Sequence, residues 1–292
     1  MKNLIIRALT GVIFVALLVG CIVWHPYTFA VLFAVISALT TWEFGTIVNR
    51  NADLQVNRFI TSVSSAYLFI AVLSYNVNLM DATVFIPYLI SIMYLMISEL
   101  YFDRKNNIQN WAFALMSQIY IALPFALLNT MSFVNMPDSC FLPQLVYYYW
   151  YPLALFIFLW SSDTGAYCFG SLLGRHRLFP RVSPKKSWEG SIGGTLVALL
   201  ASQIIATYIP FCDGLQEHYS RYVWGGFALT VVIFGTWGDL VESLLKRRLG
   251  IKDSGNMIPG HGGMLDRFDS SLMAIPAVVI YIYTVIQYIV RY

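Results

Sequence analysis

Residues Tyr222 to Arg248 read YVWGGFALTVVIFGTWGDLVESLLKRR. From Tyr222 to Trp237 there is no charged residue, and the block through Leu245 is long enough to cross the ~30 Å hydrocarbon core of a bilayer as one helix. Nothing interrupts the helical pattern at Gly238, so the polar residues that follow extend the same helix. At about 100° per residue, Asp239, Glu242, Ser243, Lys246 and Arg247 cover one arc of roughly 140°, while Leu240, Val241, Leu244, Leu245 and Arg248 cover the rest. One face thus offers carboxylates and a hydroxyl first, and cations one to two turns later. Hard oxygens suit a divalent metal and the cations suit phosphate, although a helix end snorkelling its charges into the interface would look similar.

Blocks of the same kind recur along the whole chain. They run near Ala8–Trp24, Phe29–Val48, Phe59–Val77, Thr83–Leu100, Trp111–Leu128, Tyr147–Phe169, Ser191–Ile209 and Ser271–Tyr288. The 292 residues are 58% hydrophobic and 11% charged, against roughly 25% charged in soluble domains, so water is not the main solvent. The expected fold is an all-α polytopic integral membrane protein of about nine transmembrane helices, with its chemistry on cytoplasmic loops. If the N-terminus is cytoplasmic and each block crosses once, Arg221 and Arg291 are the only two of the 18 basic residues that fall outside. A miscounted span would have scrambled that bias. The aromatic run Tyr147-Tyr148-Tyr149-Trp150-Tyr151 then lies at the outer interface, where such residues anchor helices. The reading is one membrane domain over 1–292, with five N-terminal spans in 1–140 and a catalytic half of four spans in 141–292.

Cys21, Cys140, Cys168 and Cys212 show no C-x-x-C pair and no zinc spacing, and are read as free thiols. Leu18-Val19-Gly20-Cys21 has the form of a lipoprotein cleavage box behind a basic leader. Small-residue-cysteine strings also arise inside ordinary apolar helices, and that second reading is adopted.

The two longest interruptions, Gly170–Gly190 and Lys246–Ser270, both fall on the basic side. The first is preceded by Asp163, an aspartate inside a span and therefore a functional candidate by default. It carries five cations between Arg175 and Lys186, which suit anionic lipid or nucleotide phosphates. Ser183-Pro184-Lys185-Lys186 is its most site-like portion. The second contains Gly255, Gly260, Gly262 and Gly263, whose backbone freedom can form an anion-binding nest. It also contains Lys252, His261, Asp266, Arg267 and Asp269. A plain turn between helices needs only about 2–8 residues, so a segment this long and this polar is doing more than reversing the chain.

The string Ser243-x-Leu245-Lys246-Arg247, Lys252-Asp253, Pro259-x-His261-Gly262-Gly263-x-x-Asp266-Arg267-Phe268-Asp269 resembles the signature of the phosphatidate cytidylyltransferases. The Asp163–Tyr167 and Ser183–Gly190 stretches, and more weakly Trp42-Glu43-Phe44, are similar to that family too. The resemblance implies transfer of the cytidylyl group of CTP to phosphatidic acid, giving CDP-diacylglycerol for phospholipid synthesis. It implies Mg2+ held by Asp239, Ser243 and Asp266, with room for a monovalent cation such as K+ beside it. It further implies that Asp239, Lys246 and Asp266 are catalytic and that Arg247, Lys252, His261 and Arg267 bind substrate, while Asp163, Ser183, Lys185 and Lys186 are read as substrate-binding from their own polar and basic pattern. Glu43 takes no part on this reading and is expected to snorkel at the interface. The expected partners are CTP, phosphatidic acid and membrane lipids, not nucleic acid, and a homodimer is compatible. The location implied is the inner (cytoplasmic) membrane. Among rivals, a CDP-alcohol phosphotransferase would need a D-G-x-x-A-R motif, which is lacking. A CTP-dependent polyprenol kinase is separable only by its product. A transporter would be expected to show an inverted repeat, and none is seen.

Overall fold

The computed structural model describes residues 2–102, 104, 106–136, 144–209, 217–255, 257 and 262–286. Helices α1 (Lys2–Trp24), α2 (Pro26–Asn51), α3 (Arg58–Asn76), α4 (Ile86–Tyr101), α5 (Asn107–Ser117) and α6 (Leu123–Ser132) come first. They are followed by a hairpin of β1 (Phe133–Met136) and β2 (Gln144–Tyr147), then α7 (Trp150–Leu173). A second hairpin, β3 (Arg177–Phe179) and β4 (Ser183–Ser187), precedes α8 (Trp188–Tyr208), α9 (Glu217–Arg248) and α10 (Leu265–Tyr281). Both hairpins are antiparallel, with Phe133 opposite Tyr147 and Phe179 opposite Ser183. A π-helical turn, Gln118–Ala122, joins α5 to α6. Pro124 cannot donate to the preceding turn, and such bulges reroute the ladder around a missing donor.

Among the described residues, eight helical stretches are long and apolar enough to cross a membrane, and the shorter apolar run Leu9–Trp24 lies within α1. Each predicted block falls on one of these nine stretches. The protein is an all-α polytopic membrane protein. Helix ends follow local chemistry: Asn57 caps α3 by accepting from the Ile60 amide at 3.1 Å, and Ser187 caps α8 by accepting from Gly190 at 3.1 Å. At the end of α9 the Ile251 amide donates to Lys246 (2.9 Å) and the Gly250 amide to Arg247 (3.2 Å), with Gly250 at φ +69°. That is a Schellman cap, which a glycine adopts without strain.

The chain divides into two compact units, Met1–Thr130 with Leu245–Phe268, and Met131–Leu244 with Asp269–Tyr292. In the first unit α2 packs on α3 through hydroxyls as well as apolar groups. Ser37 and Ser65 meet at 2.6 Å, and Thr41 donates to Ser65 at 3.0 Å. Hydrogen bonds of this kind between spanning helices contribute about 0.6 kcal/mol each. Buried Glu99 is held by Arg104 at 2.6 Å and by the Asn110 side-chain Nδ2 at 2.9 Å. Phe268 is 1% exposed and packs edge-on against Phe125 and Phe14, with ring centres 5.3 and 5.9 Å away. This contact ties the start of α10 to the N-terminal helices.

In the second unit α7 and α8 approach backbone to backbone. A Cβ on Gly165 would lie 2.9 Å from the Gly194 Cα, so small residues permit the contact. Aromatic rings fill the rest: Phe227 of α9 sits between Phe158 (5.7 Å), Trp224 (5.6 Å) and Tyr281 (6.4 Å). The Tyr281 hydroxyl donates to the Val223 carbonyl at 2.8 Å, so the polar end of a half-buried ring is satisfied.

Candidate active site

In the second unit the polar end of α9 meets the start of α10. A Cβ on Gly238 would fall 2.6 Å from the Asp269 carbonyl, so only the missing side chain lets the two backbones come this close. Asp239 and Glu242, three residues apart, project from one face of α9. Ligand oxygens of Asp239, Glu242 and Asp269 all lie within 4.8 Å of one another. At an effective dielectric near 20, two ionised carboxylates at that separation repel by about 3–4 kcal/mol, so the cluster calls for positive charge. Lys186 supplies one, forming an ion pair with Asp239 Oδ2. Ser243 donates to Asp239 Oδ1 at 3.2 Å. The hard-oxygen donor set fits a divalent cation.

The β3–β4 hairpin delivers Lys186. Its base is clamped by Glu189, which accepts from the His176 amide at 3.1 Å and meets the His176 ring Nδ1 at 2.6 Å. The Trp188 amide donates to the His176 carbonyl at 2.9 Å. Beside the hairpin lies a cavity of about 360 Å3, walled by Asp163, Lys185, Lys186, Ser187 and Thr236 among others. Asp163 and Lys185 are exposed on its wall, and Ser183 is half-buried at the start of β4. An anion entering this cavity meets two lysines and a set of hydroxyls.

In the first unit the segment after α9 forms a second polar centre. Lys246 donates to Asp266 Oδ1 at 2.8 Å, and both side chains are largely buried. Asp266 Oδ2 accepts from the Ser254 amide at 2.9 Å and the Gly263 amide at 3.0 Å. Arg247, Arg248, Lys252 and Arg267 are exposed. His261 lies outside the described residues, as do Cys140 and Cys212. Cys21 and Cys168 are free.

Asp239, Ser243 and Lys186 are therefore together in one unit, and Asp266 with Lys246 in the other. Glu242, read in the sequence only as part of a polar arc, completes the carboxylate trio with Asp269. The i, i+3 spacing was the available signal for Glu242, whereas nothing local marks Asp269 as its neighbour. Glu43 departs from expectation. It is 4% exposed and hydrogen-bonded, not snorkelling at an interface, because α2 buries this face against the Ser254 and Met264 region.

Residues 5–285 match the model of the cytidylyltransferase family. A phosphatidate cytidylyltransferase of Staphylococcus haemolyticus is 35% identical over 191 residues, covering 64% of this chain and 65% of that protein. Phosphatidate cytidylyltransferases of Staphylococcus saprophyticus and Staphylococcus aureus are each 43% identical over 128 and 126 residues, covering 43% of this chain and 46% of theirs. The matched stretches thus span between about half and two thirds of those relatives.

Proposed function

This chain belongs to the cytidylyltransferase family, and we propose that it transfers the cytidylyl group of CTP to phosphatidic acid, yielding CDP-diacylglycerol and pyrophosphate. The observation that carries this reading is the juxtaposition of Lys185 and Lys186 with the Asp239–Glu242–Asp269 cluster beside a cavity. The names of the relatives supply the substrates.

In the reaction a phosphatidate oxygen bonds to the α-phosphorus of CTP while the bond to the β-phosphate oxygen breaks. The attacking group is already an ionised phosphate, so no general base is needed. The protein's task is to align two polyanions and offset their repulsion. Lys185, exposed on the cavity wall, is placed to take a phosphate oxygen. Lys186 holds Asp239 in the resting arrangement and can turn to phosphate when a stronger cation takes its place. Asp239, Glu242 and Asp269 would hold a divalent ion such as Mg2+, with the Ser243 hydroxyl next to Asp239. When bound, such an ion neutralises phosphate charge and stabilises the departing pyrophosphate. Arg247, Lys252, His261 and Arg267 are proposed phosphate contacts of the signature segment, and the active site is proposed to face the cytoplasm.

The test uses purified protein, Mg2+, phosphatidate and CTP labelled either in cytosine or in the γ-phosphate. Cytosine label moving into the lipid phase is the expected result. Transfer of γ-label to lipid, with cytosine label left in water, would instead identify a kinase and end this reading.

A further inference from the structure

We propose that Glu43 is a positioning residue that fixes Ser254, Met264 and Leu265, which flank the signature loop, from a helix far away in sequence. This inference rests on the proposed role of that loop in catalysis. Glu43 leaves α2 and accepts hydrogen bonds from the Ser254 hydroxyl, the Met264 amide (2.8 Å) and the Leu265 amide (3.3 Å). Met264 immediately precedes α10 and Leu265 opens it, where the first amides have no intrahelical acceptor. A carboxylate there satisfies them and is favoured by the helix dipole. Among the described residues the hydrogen-bond donors to the buried Glu43 side chain come from this segment.

The pattern is a clamp of two carboxylates. Ser254 donates its amide to Asp266 and its hydroxyl to Glu43. On the other side of the loop the Gly263 amide goes to Asp266 and the Met264 amide to Glu43. Ser254 and Gly263 are thus pinned together, with Lys246 drawn to Asp266 at the same point. A Cβ at Gly263 would collide with both the Glu43 carboxylate and the Ser254 hydroxyl, so the fit leaves no room for a side chain. Removing Glu43 frees the loop without touching a group that contacts substrate. Misplacement of reacting groups by about 1 Å can cost on the order of a hundred-fold in rate.

The experiment compares the full-length protein with E43Q, E43D and S254A in nanodiscs, reading kcat, the KM for CTP and amide hydrogen exchange. Glutamine keeps the shape but turns one acceptor into a donor facing donors. E43Q is expected to lower kcat by about a hundred-fold, in keeping with that cost, with little change in KM. Exchange should quicken in peptides covering 251–266 but not in α3. E43D, which keeps the charge, should recover part of the rate, and S254A should reproduce the exchange change more weakly. Wild-type exchange over 251–266 in E43Q would overturn the proposal. So would a uniform rise across all helices of E43Q accompanied by a silent S254A. If the wild-type protein makes no CDP-diacylglycerol, the proposed function fails, yet the exchange measurement still decides the role of Glu43.

Discussion

Asp239 accepts from Lys186 and Ser243 and neighbours two further carboxylates. Asp239→Asn keeps the size but removes the charge that a hard cation requires. Turnover should fall by at least about a hundred-fold, beyond the ten- to hundred-fold typical of groups that only support a metal ligand. Raising Mg2+ should recover some of it. Asp266 makes a different set of contacts, since it accepts from Lys246 and from two loop amides. Asp266→Asn should therefore lose activity without that magnesium-dependent recovery. Measuring rate against Mg2+ concentration for both variants separates the two roles, and identical recovery curves would refute the distinction. At this scale the polar arc of α9 was legible from its 100° spacing. The burial of Glu43 was not, because one acidic residue near a helix end looks the same whether it snorkels or is enclosed.

Elements are set by caps and by small residues. The Schellman cap at Gly250 ends α9 just after its three basic residues and sends the chain toward Lys252. Between α7 and α8 the requirement is space. Gly165→Ala puts a methyl 2.9 Å from the Gly194 backbone, which cannot yield as a flexible side chain would. Overpacking of this kind costs about 1–3 kcal/mol. Gly20→Ala in α1 meets nothing within 4 Å, so it should be neutral or gain up to about 1 kcal/mol from helix propensity. Thermal unfolding in detergent should rank the variants Gly20→Ala, wild type, Gly165→Ala from most to least stable, and a tie between the two alanines would remove the packing argument. The sequence displayed both glycines alike. Only the neighbour of each decides whether a methyl group is welcome.

For the whole molecule, the partition of basic residues predicts that the β3–β4 hairpin is cytoplasmic and the turn after α3 is external. In a background without native cysteines, Leu79→Cys should react with an impermeant thiol reagent on intact cells and Pro180→Cys should not. Labelling at 180 would reverse the orientation. Class, span positions and the richest polar segments could be read from the chain alone, because a stretch of about 20 apolar residues must become a helix in lipid whatever its neighbours are. The signature from Ser243 to Asp269 was likewise legible, since its chemistry is written in contiguous residues. What the tertiary structure decided was partnership. It joined Asp269 to Asp239 and Glu242, Lys186 to Asp239, and Glu43 to Ser254 and Met264. It also placed Leu245–Phe268 with the N-terminal helices. Those contacts depend on which helix faces pack against one another, and residues as far apart in sequence as Glu43 and Met264 carry no local trace of it.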